Sequence, residues 1–181
     1  MYKRQKSGLI SPVYVDNRKL FSHPEAWRDI VETMASRVEE YDLEFDIVAG
    51  VEAAGSMHAA ALAYRLGLPA IMVRQKAKTY GNHSRIEGGD VKGMRVLLLE
   101  DHISTGLSCL DAIRALRGEG AQVTQVMSIT NYAIPETQRL FKQEGIDTYD
   151  VIAFEKVVRK AKEMGVIDDC LLYTSDAADE L

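Results

Sequence analysis

Residues 96–108 read VLLLEDHISTGLS, and they combine a buried strand with a turn that can bind a phosphate. The apolar run Val96–Leu99 predicts a strand covered on both faces, and the acidic pair Glu100–Asp101 marks its carboxyl end, where the chain reaches solvent. The small residues Ser104–Ser108 then form a turn into a helical pattern of apolar residues over 110–116. Backbone N–H groups in such a turn bind phosphate. Two carboxylates beside it suit a ribose 5-phosphate, which carries vicinal hydroxyls and a phosphate.

The order of these residues resembles the 5-phosphoribosyl-1-pyrophosphate (PRPP) signature of type I phosphoribosyltransferases. By that resemblance Glu100 and Asp101 hold the ribose hydroxyls, and the turn anchors the 5-phosphate through its N–H groups. The predicted PRPP-binding residues here are Glu100, Asp101, His102, Ile103, Ser104, Thr105, Gly106, Leu107 and Ser108. A structural interpretation is the alternative, because a strand followed by a glycine-containing turn is common in α/β proteins. The acidic pair followed by Ser-Thr-Gly-Leu-Ser favours ligand binding.

Length and composition indicate one globular domain. The chain has 181 residues, of which 46% are hydrophobic, which is enough for a proper core. The net charge is −5 and there is no basic stripe, so nucleic acid and anionic membrane are poor partners. No apolar run approaches the ~20 residues that span a bilayer and no signal peptide opens the chain, so we expect a cytoplasmic protein. Two cysteines are too few for a disulfide framework, and the four histidines lack zinc-site spacing.

Both ends of the chain are predicted to be foreign to the domain. Codons for Tyr2–Gln5 and for Cys170–Tyr173 can be written as the two strands of one inverted repeat. That repeat resembles the transposase adapter used in sequencing-library preparation, whose onward translation gives Thr174–Asp179. We therefore expect residues 1–5 and 170–181 to be non-native and residues 6–169 to form a single domain. A chance match in an ordinary polar tail is the alternative.

The segment from Lys6 to Arg18 begins with a glycine turn and continues as an alternating extended segment. Its order of Lys-Ser-Gly, Ser-Pro, and then Tyr, Asp and Arg resembles the amino-terminal substrate hood of the orotate phosphoribosyltransferases. The resemblance implies that Lys6 approaches the orotate carboxylate or the PRPP side of the site and that Tyr14 packs on the pyrimidine ring. Together with Ser104, these are the predicted orotate-binding residues. Taken singly, Lys6 reads as a solvated lysine and Tyr14 as an ordinary strand aromatic.

A second strand and turn come earlier than the central one. Residues 45–50 predict a strand, and residues 51–56 predict a turn into an alanine-rich helix over 57–66. In the resembled family this turn meets pyrophosphate, and small residues allow close backbone approach. The predicted pyrophosphate loop is Glu52, Ala53, Ala54 and Gly55. His58 is expected to cap or pack rather than to act as a catalyst.

Residues 75–90 follow a predicted strand over 69–74 and show no apolar periodicity, which is usual for functional or disordered loops. Positive charge concentrates there, as a lid over a polyanion requires: Arg74, Lys76, Lys78, His83 and Arg85. The segment resembles the family's flexible catalytic loop, in which Arg74, Gln75, Lys78 and Tyr80 match positions that grip pyrophosphate. Gln75 stands where a lysine is common and Tyr80 where a histidine is common. Lys78 and Asp101 are the predicted catalytic residues.

The other elements complete an alternating pattern. An N-cap at Ser22 predicts a helix over the apolar stripe from Trp27 to Val38, and residues 122–130 predict a strand. Pro135 opens a helix that ends at Gly145, and a last helix is predicted over residues 152–164. Many relatives have an Asp-Arg pair after the strand and use the arginine to bind orotate, whereas this chain has Thr130-Asn131-Tyr132. Either another group anchors orotate or the base is different.

Strands alternating with helices predict an α/β fold: a mostly parallel central sheet with helices on both faces, Rossmann-like and similar to type I phosphoribosyltransferases, plus a small amino-terminal hood. The implied reaction joins orotate and PRPP to give orotidine 5′-monophosphate and pyrophosphate in pyrimidine synthesis, with Mg²⁺ held mainly through PRPP. The resemblance also implies a homodimer. The alternatives are a purine or xanthine phosphoribosyltransferase, which would share residues 96–108, and a non-enzymatic PRPP-sensing regulator.

Overall fold

The computed structural model describes residues 15–77 and 84–167, together with the backbone of residues 3–4 and 10–11. Five predicted functional residues lie outside the described residues, as does the tail from residue 168 onward: Lys6, Tyr14, Lys78, Tyr80 and His83. Contacts divide the chain into one unit of residues 17–151 and a second unit that joins residues 1–16 to residues 152–181.

The chain forms eight described strands and five described α-helices. The strands are β1 Lys3–Arg4, β2 Ile10–Ser11, β3 Ile47–Val51, β4 Ala70–Val73, β5 Ile86–Glu87, β6 Arg95–Ile103, β7 Gln122–Asn131 and β8 Asp147–Ala153. The helices are α1 Pro24–Glu40, α2 Ala54–Leu66, α3 Leu107–Gly118, α4 Pro135–Gln143 and α5 Phe154–Glu163, and a 3₁₀ segment covers Asn17–Ser22. Within the described ranges, no helix combines the length and the apolar character needed to cross a membrane.

Six of the strands form one sheet in the order β5-β4-β3-β6-β7-β8. The pairs β3–β4, β3–β6 and β6–β7 are parallel, and β5 pairs antiparallel with β4. In this register Gly50 lies opposite Leu99 and His102 lies opposite Thr130. Strands β1 and β2 form a separate antiparallel ladder. The mostly parallel sheet confirms the predicted fold class.

Helices cover both faces of the sheet. Because side chains alternate along a strand, Val96 and Leu98 point to one face, where they join a cluster with α3 and with Phe141 of α4. Leu97 and Leu99 point to the other face, which α2 covers, with α1 packed against α2. These leucines are almost completely inaccessible to solvent, and burial of each contributes roughly 1.5–3 kcal/mol to folding. A strand covered on both faces explains the uninterrupted apolar run.

Several predicted boundaries are wrong. Helix α2 begins at Ala54 rather than at residue 57, so Ala54 and Gly55 of the predicted loop belong to its first turn. Ser22 does not cap α1, because it is the last residue of the 3₁₀ segment; His23 holds the cap position, and its side chain makes no capping hydrogen bond. Residues 75–90 are not wholly irregular, since Ile86 and Glu87 pair with Val73 and Met72 as strand β5.

Strand β8 was missed, and α5 begins at Phe154 rather than at residue 152. The segment before α5 contains Thr148, Tyr149, Val151 and Ile152, which are strand-forming residues. Asp147 precedes these residues and Asp150 interrupts them, which weakens the apolar signal of a strand. Asp150 is accommodated because its Oδ1 accepts a 2.6 Å hydrogen bond from Ser128 Oγ of β7.

Candidate functional site

The predicted loops meet at one edge of the sheet, beyond the carboxyl ends of β3, β4 and β6. This edge is where parallel α/β sheets bind ligands. Gln75, after β4, donates its backbone N–H to Glu52 Oε2 at 3.0 Å and its side-chain Nε2–H to the Glu52 carbonyl at 3.1 Å. The structure therefore brings together two segments that the sequence assigned to pyrophosphate binding.

The turn between β3 and α2 is built on close backbone packing. A Cβ added to Gly50 would lie 2.4 Å from both the Gly55 carbonyl oxygen and Ser56 Cα, and one added to Gly55 would lie 2.6 Å from the Leu99 carbonyl oxygen. Ser56 Oγ donates to the Gly50 carbonyl at 3.0 Å. The peptide bond between Glu52 and Ala53 is cis. Because α2 begins at Ala54, the N–H groups of its first turn face the loop without intrahelical acceptors.

The sequence suggested that β6 ends and reaches solvent at the acidic pair, and this expectation is wrong. The strand continues to Ile103, and Glu100 is only 6% exposed. Glu100 Oε1 accepts the Asp101 N–H at 3.1 Å, and Oε2 accepts the Ser108 hydroxyl at 3.0 Å. A buried carboxyl group is tolerated there because these donors satisfy it. Asp101, by contrast, is half-buried.

The environment of Glu100 raises its pKa to about 8, because burial disfavours the charged form and the nearby Asp101 carboxylate adds to the effect. The ordinary value is 4.5, so between those two pH values the folded protein holds a proton at Glu100 that the unfolded chain releases. This contribution to stability is present below the unfolded pKa and is lost as pH rises through the folded pKa.

Glu100→Gln should therefore remove a specific pH dependence of stability. Between pH 5 and pH 8, roughly, the wild-type free energy of unfolding should fall relative to that of the variant, by up to ~1.4 kcal/mol per pH unit. Urea denaturation at several pH values measures the difference. Glu25→Gln, on an exposed position of α1, is the matched control. A constant offset between wild type and Glu100→Gln would show that Glu100 does not titrate in this window.

The turn between β6 and α3 is held against α4. Gly106 precedes α3 with φ 71°, and a Cβ there would come within 2.9 Å of the side chains of Phe141 and Thr137. Thr137 Oγ1 donates to the Ser104 carbonyl at 3.0 Å. Only glycine satisfies both the positive φ and the close contact. The first-turn N–H groups of α3 have no intrahelical acceptor, as an anion-binding turn requires.

Individual residues of the predicted PRPP stretch differ in what they can contribute. The Ile103 side chain is 1% exposed and belongs to the core, and its carbonyl accepts the Tyr132 N–H at 3.0 Å. Leu107 is 62% exposed, so its side chain is open to solvent at the start of α3. His102 Nδ1 lies 2.8 Å from Thr130 Oγ1, and its ring packs edge-on against Tyr132 at 4.3 Å. Burial lowers the pKa of His102, which favours the neutral imidazole.

Asn17 was not predicted as a site residue, yet it links three elements. Its Nδ2 donates to the Asp101 carbonyl at 2.6 Å and to Thr130 Oγ1 at 2.8 Å. The Asn17 side chain is buried, and its hydrogen bond fixes the backbone of Asp101 at the carboxyl edge of the sheet. The available signal was its position inside the Lys6–Arg18 pattern, where asparagine follows the aspartate.

Two of the predicted lid charges already have carboxylate partners. Arg74 pairs with Glu87 at 3.1 Å, and Arg85 pairs with Asp111 at 2.6 Å. Arg85 Nε also donates to the Arg74 carbonyl at 2.8 Å, which ties the two arms of the segment together. A polyanion at Arg74 would therefore compete with Glu87.

The sequence as a whole matches known proteins. The family model described as phosphoribosyl transferase domain matches residues 16–164. The orotate phosphoribosyltransferase of Coxiella burnetii is 44% identical over 166 residues, which are 92% of this chain and 79% of that protein. The chain belongs to the orotate phosphoribosyltransferase family.

Solved structures of this family have the same fold. The orotate phosphoribosyltransferase from Aeropyrum pernix superposes with a TM-score of 0.76 at 27% identity, and the match covers 92% of each chain. The Mycobacterium tuberculosis orotate phosphoribosyltransferase in complex with PRPP superposes with a TM-score of 0.69 at 27% identity, covering 85% of this chain and 88% of that one.

The turn after β7 is where this chain differs from the sequence pattern expected of orotate phosphoribosyltransferases, many of which have an Asp-Arg pair there. Among residues 130–134 there is no arginine. Asn131 is buried, and its Oδ1 accepts the Ala133 N–H at 2.8 Å. Its Nδ2 has no hydrogen-bond partner within the described part of the chain.

Proposed function

We propose that this protein transfers the 5-phosphoribosyl group of PRPP to orotate, giving orotidine 5′-monophosphate and pyrophosphate in de novo pyrimidine (UMP) biosynthesis. One observation carries the proposal: in a chain of this family, the β3–α2 turn, the end of β4 and the β6–α3 turn converge at the carboxyl edge of the sheet, beside Asp101. The PRPP complex of the Mycobacterium tuberculosis relative supports the choice of ligand.

The acidic pair and the turn after it form the ribose 5-phosphate subsite. The half-buried Asp101 carboxylate accepts hydrogen bonds from the ribose hydroxyls. Glu100 contributes by accepting hydrogen bonds from the Asp101 N–H and the Ser108 hydroxyl, which fixes both residues at the subsite. Residues 104–108 bind the 5-phosphate through N–H groups at the start of α3, where the helix dipole also favours an anion.

The pyrophosphate group lies between the other two segments. Glu52, Ala53, Ala54 and Gly55 approach it with their backbone, and Arg74, Gln75, Lys78 and Tyr80 supply side chains from the β4 end and the following loop. Departure of pyrophosphate from the anomeric carbon builds positive charge on the sugar and negative charge on the leaving group. Lys78 stabilises the leaving group electrostatically. Most of the catalysis is therefore positioning and charge stabilisation.

Magnesium fits this site as an ion brought in by PRPP. In the described ranges, no group of three or more His, Cys, Asp or Glu residues is arranged to hold a metal. Mg²⁺ commonly binds through substrate phosphates with one or two carboxylates. Asp101, at the carboxyl edge of the sheet, would supply one of these carboxylates. Bound there, the ion would neutralise charge on the pyrophosphate.

Orotate would lie over Ser104, with Lys6 near its carboxylate and Tyr14 on the pyrimidine ring. Ser104 is half-buried at the end of β6, and its carbonyl is held by Thr137. Membership of the orotate phosphoribosyltransferase family favours orotate over a purine or xanthine, and Lys6 would anchor the orotate carboxylate in place of an arginine after β7.

Lys78→Ala should lower turnover by at least ~100-fold and leave the fold intact, because a loop lysine adds little packing energy but stabilises charge in the transition state. Steady-state kinetics with PRPP, orotate and Mg²⁺ measure the effect. Lys92→Ala, at an exposed lysine outside the proposed site, is the control. Unchanged turnover in Lys78→Ala would remove the loop from the mechanism.

We also propose a homodimer in which the Lys78 loop reaches the neighbouring subunit's site. Mixing inactive Lys78→Ala and Asp101→Ala chains should then regenerate activity, because one site of the mixed dimer keeps both wild-type residues. Subunit exchange is monitored with two differently tagged chains. Proven exchange without recovery would show that the loop acts in its own subunit.

Binding of PRPP tests the site itself. With Mg²⁺ present, PRPP should slow amide hydrogen exchange over residues 104–108 and 53–56, because bound ligand satisfies N–H groups that lack an acceptor in these turns. Inorganic phosphate alone should protect residues 104–108 only. Protection confined to other parts of the chain would contradict the proposed site.

A further inference from the structure

His58 lies in α2 one turn after the pyrophosphate loop, and its side chain is completely buried. It packs in an aromatic cluster, with ring centroids 4.9 Å from Phe21 and 6.3 Å from Trp27. Trp27 Nε1–H donates a hydrogen bond to His58 Nδ1 at 3.3 Å. Because a buried ring nitrogen needs a hydrogen-bond partner, Trp27 of α1 satisfies Nδ1 and leaves Nε2 as the nitrogen to be accounted for.

That hydrogen bond fixes the tautomer of His58. An indole N–H can only donate, so Nδ1 must be the acceptor and carries no proton. Burial lowers the pKa of His58 to about 4, which keeps the ring neutral. A neutral imidazole without a proton on Nδ1 has its proton on Nε2. His58 Nε2 is therefore a donor, and it is buried with no partner among the described residues.

Asp101 lies on the face of β6 that α2 covers. Glu100 faces α3, where its Oε2 accepts the Ser108 hydroxyl, so the alternation of a strand directs the next residue, Asp101, toward α2. Gly55, one turn before His58, packs directly on the Leu99 carbonyl of the same strand. The Asp101 carboxylate also acts to raise the pKa of His58, against the larger effect of burial. Asn17 holds the Asp101 carbonyl at 2.6 Å, so the backbone of Asp101 is fixed while its carboxylate remains half-exposed. A carboxylate has about four lone-pair sites, so two ribose hydroxyls leave room for one further donor.

We propose that His58 is a positioning residue of the ribose subsite: with PRPP bound, its Nε2–H donates to the Asp101 carboxylate and fixes the orientation in which that carboxylate receives the ribose hydroxyls, while Trp27 sets the required tautomer. The inference rests on the proposed function, because it takes Asp101 as the ribose ligand. It assigns Trp27 and His58, from α1 and α2, to the support of an active-site carboxylate on β6.

The test compares variants that keep the packing and change the donor. His58→Phe keeps a ring beside Phe21 and Trp27 but has no N–H, and His58→Gln restores an amide donor. His58→Phe should raise the dissociation constant for PRPP with Mg²⁺ about ten- to hundredfold, the usual effect of losing a hydrogen bond to a charged group. The KM for orotate should not change, and His58→Gln should recover most of the PRPP affinity.

Trp27→Phe provides an independent test of the proposal. It leaves His58 in place but removes the N–H that donates to Nδ1, so either ring nitrogen of His58 can carry the proton. Long-range ¹H–¹⁵N NMR spectra should show the Nε2-protonated ring in the wild type and a mixture of tautomers in Trp27→Phe. PRPP affinity should fall in proportion to the lost Nε2-protonated fraction. A wild-type spectrum with the proton on Nδ1 would overturn the proposal.

A double-mutant cycle separates this inference from the proposed function. If Asp101→Asn weakens PRPP binding and His58→Phe has no further effect in that background, the two residues act together as proposed. If Asp101→Asn weakens binding while His58→Phe changes only the melting temperature, His58 is a packing residue and the inference fails alone. If Asp101→Asn binds PRPP like the wild type, the ribose assignment fails first, and the role of His58 fails with it.

Discussion

Asp101→Asn should lower kcat/KM for PRPP by about 10²- to 10⁴-fold. Hydrogen bonds to a charged group contribute roughly 1.5–3 kcal/mol each, and two ribose hydroxyls facing one carboxylate give roughly 3–6 kcal/mol of transition-state binding. The amide retains one acceptor oxygen but loses the charge, so part of the contact survives. Steady-state kinetics over a range of PRPP concentrations measure the loss.

The control for this substitution is Asp29→Asn, which makes the same chemical change at an exposed position of α1. It should have wild-type kinetics. Both variants should have the wild-type circular dichroism spectrum, since Asp101 is held mainly through its backbone carbonyl by Asn17. Wild-type PRPP affinity and rate in Asp101→Asn would show that this carboxylate does not hold the ribose.

Gly50→Ala should destabilise the protein by about 4 kcal/mol or more, which is a large effect for one methyl group. The new Cβ would lie 2.4 Å from backbone atoms of Gly55 and Ser56, and backbone cannot rotate away as a side chain can. Relief requires α2 to move off β3, and this movement would also separate Gly55 from the Leu99 carbonyl. Urea denaturation measures the free energy of unfolding.

Gly118→Ala is the matched control for Gly50→Ala. Gly118 lies at the end of α3, where an added Cβ would meet nothing within 4 Å, so alanine should be neutral or slightly stabilising. Any folded Gly50→Ala protein should also bind PRPP weakly, because the pyrophosphate loop would be displaced. A Gly50→Ala protein with wild-type stability would contradict the close packing of β3 and α2.

The sequence predicted the site where the signal was local. Val96–Leu99 predicted a strand covered on both faces, and the small residues after it predicted a tight turn into a helix; both features are found. The close backbone approach at Gly55 was also predicted, since small residues in a turn between a strand and a helix allow it. The packing of Gly50 against α2 was not predicted.

The sequence could not predict features that depend on distant partners. The buried Glu100 carboxyl group depends on Ser108 of α3 as a hydrogen-bond donor. Asn17 contacts Asp101 although the two residues are 84 positions apart in the sequence. The Trp27–His58 contact is likewise long-range, so the apolar stripe of α1 and the alanine-rich pattern of α2 gave no sign of it. Strand β5 has only two residues, too few for periodicity to be visible.

The choice of base can be measured directly by following product formation from PRPP and Mg²⁺ with orotate, adenine, guanine, xanthine or uracil. The proposed function predicts that orotate is used with a kcat/KM far above that of every other base, and that the products are orotidine 5′-monophosphate and pyrophosphate. Preferred use of a purine, or PRPP binding without turnover of any base, would contradict it.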